Sequence, residues 1–165
     1  MIVVSNSSPL ISLARIGRLD VLSSFYKRIL IPAEVHHEVI LAGKGLSGSE
    51  EIRDAGWIEV APRGSLIDLS LDLACQGLGA GERGAILLAR SLPADLILMD
   101  ERKARRIAQQ AGLATMGCLG VLEAGARGGL VSDLRQAYVD LLRQGIRFDV
   151  RLLQNSLSRL GLPRL

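Results

Sequence analysis

At 165 residues the chain fits one domain with one core, since domains most often run to roughly 100–150 residues. Hydrophobic residues make up 48% and aromatics 3%, so the core must be built from Leu, Ile, Val and Ala, which suits buried parallel strands covered by helices. The net charge of +3 and pI near 9.2 are compatible with a nucleic-acid ligand, while the absence of any apolar run near roughly 20 residues argues against a membrane span.

Met1-Ile-Val-Val is followed at once by polar residues, unlike a signal peptide, so a cytoplasmic protein is expected. Cys75 and Cys118 lie far apart without a partner pattern and read as small buried residues. Ile2-Val3-Val4 predicts a strand, and Ser5-Asn6-Ser7-Ser8-Pro9 the start of a helix with a serine cap and proline at the first helical position. Asn6 then stands at a strand's carboxyl end. Leu10, Ile11, Leu13, Ala14 and Ile16 continue an apolar helical face to Gly17, and residues 19–25 predict a second short helix.

Residues 28–31 predict the next strand, closed by Pro32, and a helix over 33–41 would set Glu34 and Glu38 a turn apart. Gly43-Lys44-Gly45-Leu46-Ser47-Gly48 reads as a loop, with Ser47 or Ser49 capping a helix that runs to Ala55. Residues 57–60 predict a strand at or near an edge. From Pro62 to Gly77 the apolar positions fit strand and helix about equally, and helix is preferred.

Leu78-Gly79-Ala80-Gly81-Glu82 opens an apolar helix with Glu82 in its first turn. Residues 96–99 then form a short apolar run that stops at Asp100, the signature of a buried parallel strand, with a basic helix behind it as far as Gly112. Residues 114–116 predict a final strand, 119–126 a helix, Gly128-Gly129 a break, and 131–142 and 150–160 two amphipathic helices. The expected architecture is a three-layer α/β/α fold with a mostly parallel sheet, a core over about 1–127 and C-terminal helices over about 128–165.

Four positions fall at element ends that a parallel sheet gathers on one edge: Asn6, Glu38, Glu82 and Asp100. Oxygen ligands without sulfur or imidazole suit Mg²⁺ or Mn²⁺, which can assist phosphodiester hydrolysis. Each position also has an ordinary reading. Glu82 complements a helix dipole, Glu38 suits an exposed helix face, and Asp100 could cap the helix that follows it. Of the cluster Arg102, Lys103, Arg105 and Arg106, the first and last suit a solvated face.

The stretches Val4-Ser5-Asn6-Ser7-Ser8-Pro9, Ile31-Pro32-Ala33-Glu34-Val35-His36-His37-Glu38, Leu78-Gly79-Ala80-Gly81-Glu82-Arg83-Gly84, Leu98-Met99-Asp100-Glu101-Arg102-Lys103 and Gly117-Cys118-Leu119-Gly120 together resemble the PIN-domain superfamily. The nearest likeness is to its predicted nucleic-acid-binding proteins of prokaryotes, often encoded beside small antitoxin-like partners. The resemblance implies a metal-dependent ribonuclease, the toxin of a toxin–antitoxin pair, with Asn6, Glu38, Glu82 and Asp100 holding Mg²⁺ or Mn²⁺. Glu38, Glu82 and Asp100 would be the catalytic carboxylates, and Arg83, Lys103 and Arg105 would contact the RNA backbone. A homodimer and a small antitoxin partner are expected, with the C-terminal helices as the apolar surface. The chain departs from the superfamily at Asn6, where an acid is usual. An amide oxygen can coordinate a hard cation, but the lost charge weakens binding and points to the alternative of a catalytically weak or inactive nucleic-acid-binding or protein-interaction module.

Overall fold

The computed structural model describes residues 1–62 and 68–165. Strands β1 (Val3–Ser5), β2 (Ile29–Ile31), β3 (Ile58–Val60), β4 (Leu96–Leu98) and β5 (Thr115–Met116) form a sheet in the order β3-β2-β1-β4-β5. Every pairing is parallel. Val4 faces Leu30 on one side and Ile97 on the other, which puts β1 at the centre of the sheet.

These strands are buried on both faces because their apolar residues are continuous rather than alternating with polar ones. Val3, Ile29, Ile31 and Leu98 point into one core, and Val4, Ile97 and Met99 into the other. The first core is closed by α1 (Ser7–Arg15), α2 (Asp20–Phe25), α8 (Cys118–Arg127), α9 (Leu134–Arg143) and α10 (Val150–Arg159), and the second by α6 (Ala80–Ser91) and α7 (Arg102–Gln110). The result is the three-layer α/β/α arrangement expected. Strand β3 lies at the sheet edge, as expected, and there Glu59 and Val60 are both exposed.

Three local predictions need correction. The helix expected over 33–41 is α3 (Ala33–His36) followed without a break by a π-helical turn, His37–Leu41, which contains Glu38. Such wide turns are rare and often occur at functional sites. The helix after the glycine-rich loop is α4 (Ser49–Asp54), and neither serine caps it: Gly48 holds the cap position at φ +90°, and Ser49 Oγ donates to the Leu46 carbonyl. Glycine is required there twice over, by its left-handed backbone and by Ala14 Cβ, which would lie 2.9 Å from an added Cβ. The first of the two C-terminal helices starts later than predicted, at Leu134, because Asp133 accepts the Gln136 N–H at 2.8 Å and caps α9.

In the segment that fitted both templates, α5 (Leu69–Ala74) is helical, with Asp68 accepting the Leu71 N–H at 3.0 Å; residues 63–67 lie outside the described residues. The helices α9 and α10 turn Leu134, Tyr138, Leu141, Leu153 and Leu157 into the first core and leave Val150 and Leu152 exposed. Tyr138 is fully buried, and its hydroxyl hydrogen-bonds Ser156 Oγ, which ties α9 to α10. Burial pushes the Tyr138 phenol up to about 12, so it stays protonated and the bond persists through the neutral range. Tyr138→Phe strands the buried Ser156 hydroxyl and is expected to cost about 1–2 kcal/mol. A lower urea midpoint at unchanged slope is the expected reading.

Candidate functional site

In an open parallel sheet, ligands bind outside the carboxyl ends of strands where the strand order reverses. Here that point is between β1 and β4, because the chain first builds outward through β2 and β3 and then returns to the other side of β1. Asn6 follows β1 directly, 2% exposed, and its backbone N–H donates to the Leu98 carbonyl at 3.0 Å, which fastens the crevice wall to β4. Asn6, and not the serine expected, occupies the cap position of α1 in extended backbone, with Pro9 third in the helix rather than first, yet its side chain makes no capping bond. Asp100 stands two residues past β4.

Both of these side chains carry an oxygen with unused capacity. Among the described residues, Asn6 Oδ1 and Asp100 Oδ2 are buried without a hydrogen-bond partner. The other Asp100 oxygen accepts the Cys118 N–H at 2.6 Å, at the first turn of α8. Burial raises the Asp100 carboxyl above its ordinary range; the Cys118 N–H and the Arg105 charge pull in the opposite direction. The alternative reading of Asp100 as a helix cap fails, because Glu101 does that work, accepting the Ala104 N–H at 2.7 Å. Asp100 is left with no role in local structure beyond its bond to α8.

Glu38 is reached from β2 through the π-helical turn. Its Oε1 accepts the Gly81 N–H at 2.9 Å and its Oε2 accepts the Ser7 hydroxyl, so one carboxylate joins the first turns of α1 and α6. Because α6 leads into β4, it runs against the strands and brings its N-terminus to the carboxyl edge of the sheet. Glu82 lies in that first turn and accepts the Gly79 N–H at 3.1 Å, the return half of a capping box whose other half Gly79 cannot supply. Burial raises the Glu82 carboxyl; the Gly79 N–H lowers it, the Glu101 and Glu38 charges raise it, and Lys103 lowers it.

The structure therefore puts Glu38 and Glu82 within electrostatic reach of each other, and Asn6 on the strand between Glu38 and Asp100. Among the described residues, no three His, Cys, Asp or Glu side chains form a group able to hold a metal ion. The donors nevertheless suit a hard cation: two buried oxygens open to a ligand, one amide and one carboxylate, with two further carboxylates at neighbouring helix starts.

The predicted cations differ in their surroundings. Arg83 forms a two-point ion pair with Asp72 of α5, with both nitrogen–oxygen distances 2.7 Å. Lys103 is exposed beside Glu82, and Arg105 is half-buried beside Asp100. Arg102 and Arg106 are both exposed and have no ion pair among the described residues, as a solvated face predicts.

Sequence reasoning passed over Ser7, Gly81, Gly117 and the Cys118 N–H, all of which touch the site's carboxylates. Gly79-Ala80-Gly81 is a glycine cluster that lacks the lysine of a phosphate-binding loop. The signal available was position: Gly81 falls inside the first turn of a helix, where glycine is unfavourable unless space is needed.

The domain is a three-layer α/β/α fold with oxygen donors at the switch point of a parallel sheet. A family model described as a PIN domain matches residues 2–162, nearly the whole chain. The chain belongs to the PIN-domain family, whose members generally use divalent metal ions. No curated protein matches it. Among the described residues, no helix is long and apolar enough to cross a membrane.

Proposed function

We propose that this chain is a Mg²⁺- or Mn²⁺-dependent endoribonuclease of the prokaryotic cytoplasm, the toxin half of a toxin–antitoxin pair. The observation that carries the reading is the pair of buried, unpartnered oxygens, Asn6 Oδ1 and Asp100 Oδ2, one on each side of the switch point. A native fold pairs nearly all of its buried acceptors with protein, water or an ion, so two such oxygens at one crevice point to a ligand there. Asn6, Glu38, Glu82 and Asp100 would hold the cation, which when bound polarises the phosphate and lowers the pKa of a coordinated water.

The protein's own groups do the rest. Asp100, at the cost of its burial, would supply negative charge in the crevice, and Glu38 would supply it from the π-helical turn. Lys103 and Arg105 lie beside Glu82 and Asp100 and would contact the phosphate backbone of RNA; Arg83 could do so only by releasing Asp72. The exposed Val150 and Leu152 of α10 offer apolar area to a second copy or to a small antitoxin. In an RNA cleavage assay, Glu38→Gln should slow the reaction about 100-fold or more, and EDTA should stop it. Cleavage that survives EDTA, or proceeds unchanged in both Glu38→Gln and Asp100→Asn, overturns the reading.

Asn6 favours a second reading. An uncharged residue at the centre of the site leaves three carboxylates to balance a divalent cation, and these do not converge as a group. A non-catalytic RNA- or protein-binding module would then be the function. Calorimetric titration with Mn²⁺ separates the two: a site abolished by Glu82→Gln excludes the module, and no measurable site excludes the enzyme.

A further inference from the structure

We propose that Gly81 and Gly117 are positioning residues, each providing a seat without a side chain in which a site carboxylate is held by a backbone N–H at the start of a helix. The inference rests on the reading of Glu38 and Asp100 as metal ligands, and it concerns what aims them. Gly81 donates its N–H to Glu38 Oε1 at 2.9 Å, and Cys118, directly after Gly117, donates to Asp100 Oδ1 at 2.6 Å. The helices concerned, α6 and α8, are long enough for their N-terminal N–H groups to favour a negative charge there.

Backbone conformation does not explain either glycine. Neither has a positive φ, and Gly117 is extended at φ −99° and ψ 174°, a conformation any residue adopts. Space does explain them. A Cβ at position 81 would collide with Glu38 Oε2 and fall 2.8 Å from its Oε1, and one at position 117 would fall 2.8 Å from Asp100 Oδ1. Alanine at either site must push the carboxylate off its N–H donor. The same two contacts direct the remaining oxygens: Asp100 Oδ2 is left buried and unpartnered, and Glu38 Oε2 turns to the Ser7 hydroxyl beside Asn6.

A third glycine provides the control. Gly84 lies one turn further along α6, and a Cβ there would meet Glu34 Oε2 at 2.9 Å and Pro32 Cγ at 3.3 Å, outside the proposed set of ligands. Alanine at 84 therefore imposes a similar steric load on the same helix without touching Glu38 or Asp100.

The test is calorimetric titration of the full chain with Mn²⁺ alone, beside thermal unfolding and amide proton NMR of the metal-free protein. Gly81→Ala and Gly117→Ala should each weaken Mn²⁺ binding about 10- to 100-fold, the range for groups that orient metal ligands. Gly84→Ala should leave it unchanged. The unfolding midpoint of Gly81→Ala should not fall, since alanine favours a helix over glycine, which sets loss of binding apart from loss of fold. In the metal-free protein the amide protons at 81 in the first variant and at 118 in the second should move upfield as their carboxylate bonds lengthen. Wild-type Mn²⁺ affinity in both variants overturns the proposal. Should the parent protein bind no Mn²⁺, the metal reading fails, and the amide shifts alone decide the seats: unshifted amides overturn them and shifted amides uphold them.

Discussion

Asp100→Asn is expected to give a metal-free protein that is more stable than the parent at pH 7 and cleaves RNA at least about 100-fold more slowly. The two effects have one cause. Burial raises the Asp100 carboxyl above its ordinary value of 3.8, and only the Cys118 N–H and the Arg105 charge offset it. The folded chain thus holds this proton more tightly than the unfolded chain does. Starting from the ordinary value and rising through the folded one, the native state binds more protons, so stability falls as pH rises and the loss is complete above the folded pKa. Asparagine keeps an acceptor for the Cys118 N–H but has no charge to bury. The substitution should therefore add about 0.5–2 kcal/mol at pH 7, and at roughly 2–4 °C per kcal/mol for a chain of this size the gain is readable in a melting curve. Melting curves taken from pH 4 to 8 should show a flatter decline than the parent's. Some slope remains, because burial raises Glu82 in the same direction. A lower midpoint at pH 7 with the parent's slope intact would show that Asp100 stabilises the fold and is not held there at its expense.

The sheet was legible in the sequence because parallel strands announce themselves. Val3-Val4, Ile29-Leu30-Ile31 and Leu96-Ile97-Leu98 are apolar on both faces, and each ends at a residue that cannot continue the run: Ser5-Asn6, Pro32 and Asp100. The placement of Asn6 and Asp100 at strand ends followed from that pattern alone. What stayed hidden depends on contacts distant in sequence or on small energy differences. The helix pattern through Val35 and Val39 is the same for an α-helix and for an α-helix with one wide turn, so nothing local distinguishes the π-helical turn that carries Glu38. Asp100 and Glu101 are adjacent carboxylates, either of which suits a cap; the choice falls on Glu101 because Cys118, 18 residues on, engages Asp100. Ser49 looks like a cap, but the close approach of α4 to Ala14 puts Gly48 in that position. Gly81 and Gly117 are conspicuous only once the carboxylates facing them are known.

Asn6→Asp should make the metal-free protein markedly less stable at pH 7 and bind Mn²⁺ at least about tenfold more tightly. Asn6 is 2% exposed and its Oδ1 has no partner, so a carboxylate there would add a buried charge across the switch point from half-buried Asp100, whose Oδ2 is buried. An uncompensated buried charge costs on the order of 3–5 kcal/mol, and a second like charge nearby makes that worse. The same charge is what a divalent cation requires. Saturating Mn²⁺ should therefore restore the midpoint, since a ligand at 1,000 times its dissociation constant adds about 4 kcal/mol to the folded state. The penalty also has a pH signature. Both carboxyls take up protons more readily in the fold than in the unfolded chain, so the variant's deficit should shrink as pH falls through their raised values. Paired melting curves with and without Mn²⁺, at pH 5 and pH 7, check all of this. A variant as stable as the parent without metal would mean that position 6 is open to water or to a cation, and a deficit that Mn²⁺ leaves untouched would mean that Asn6 faces something other than a metal site. Between those outcomes lies the reason an amide can occupy the first position. It leaves the crevice with one fewer buried charge to carry when no cation is bound, at the cost of a weaker grip when one is.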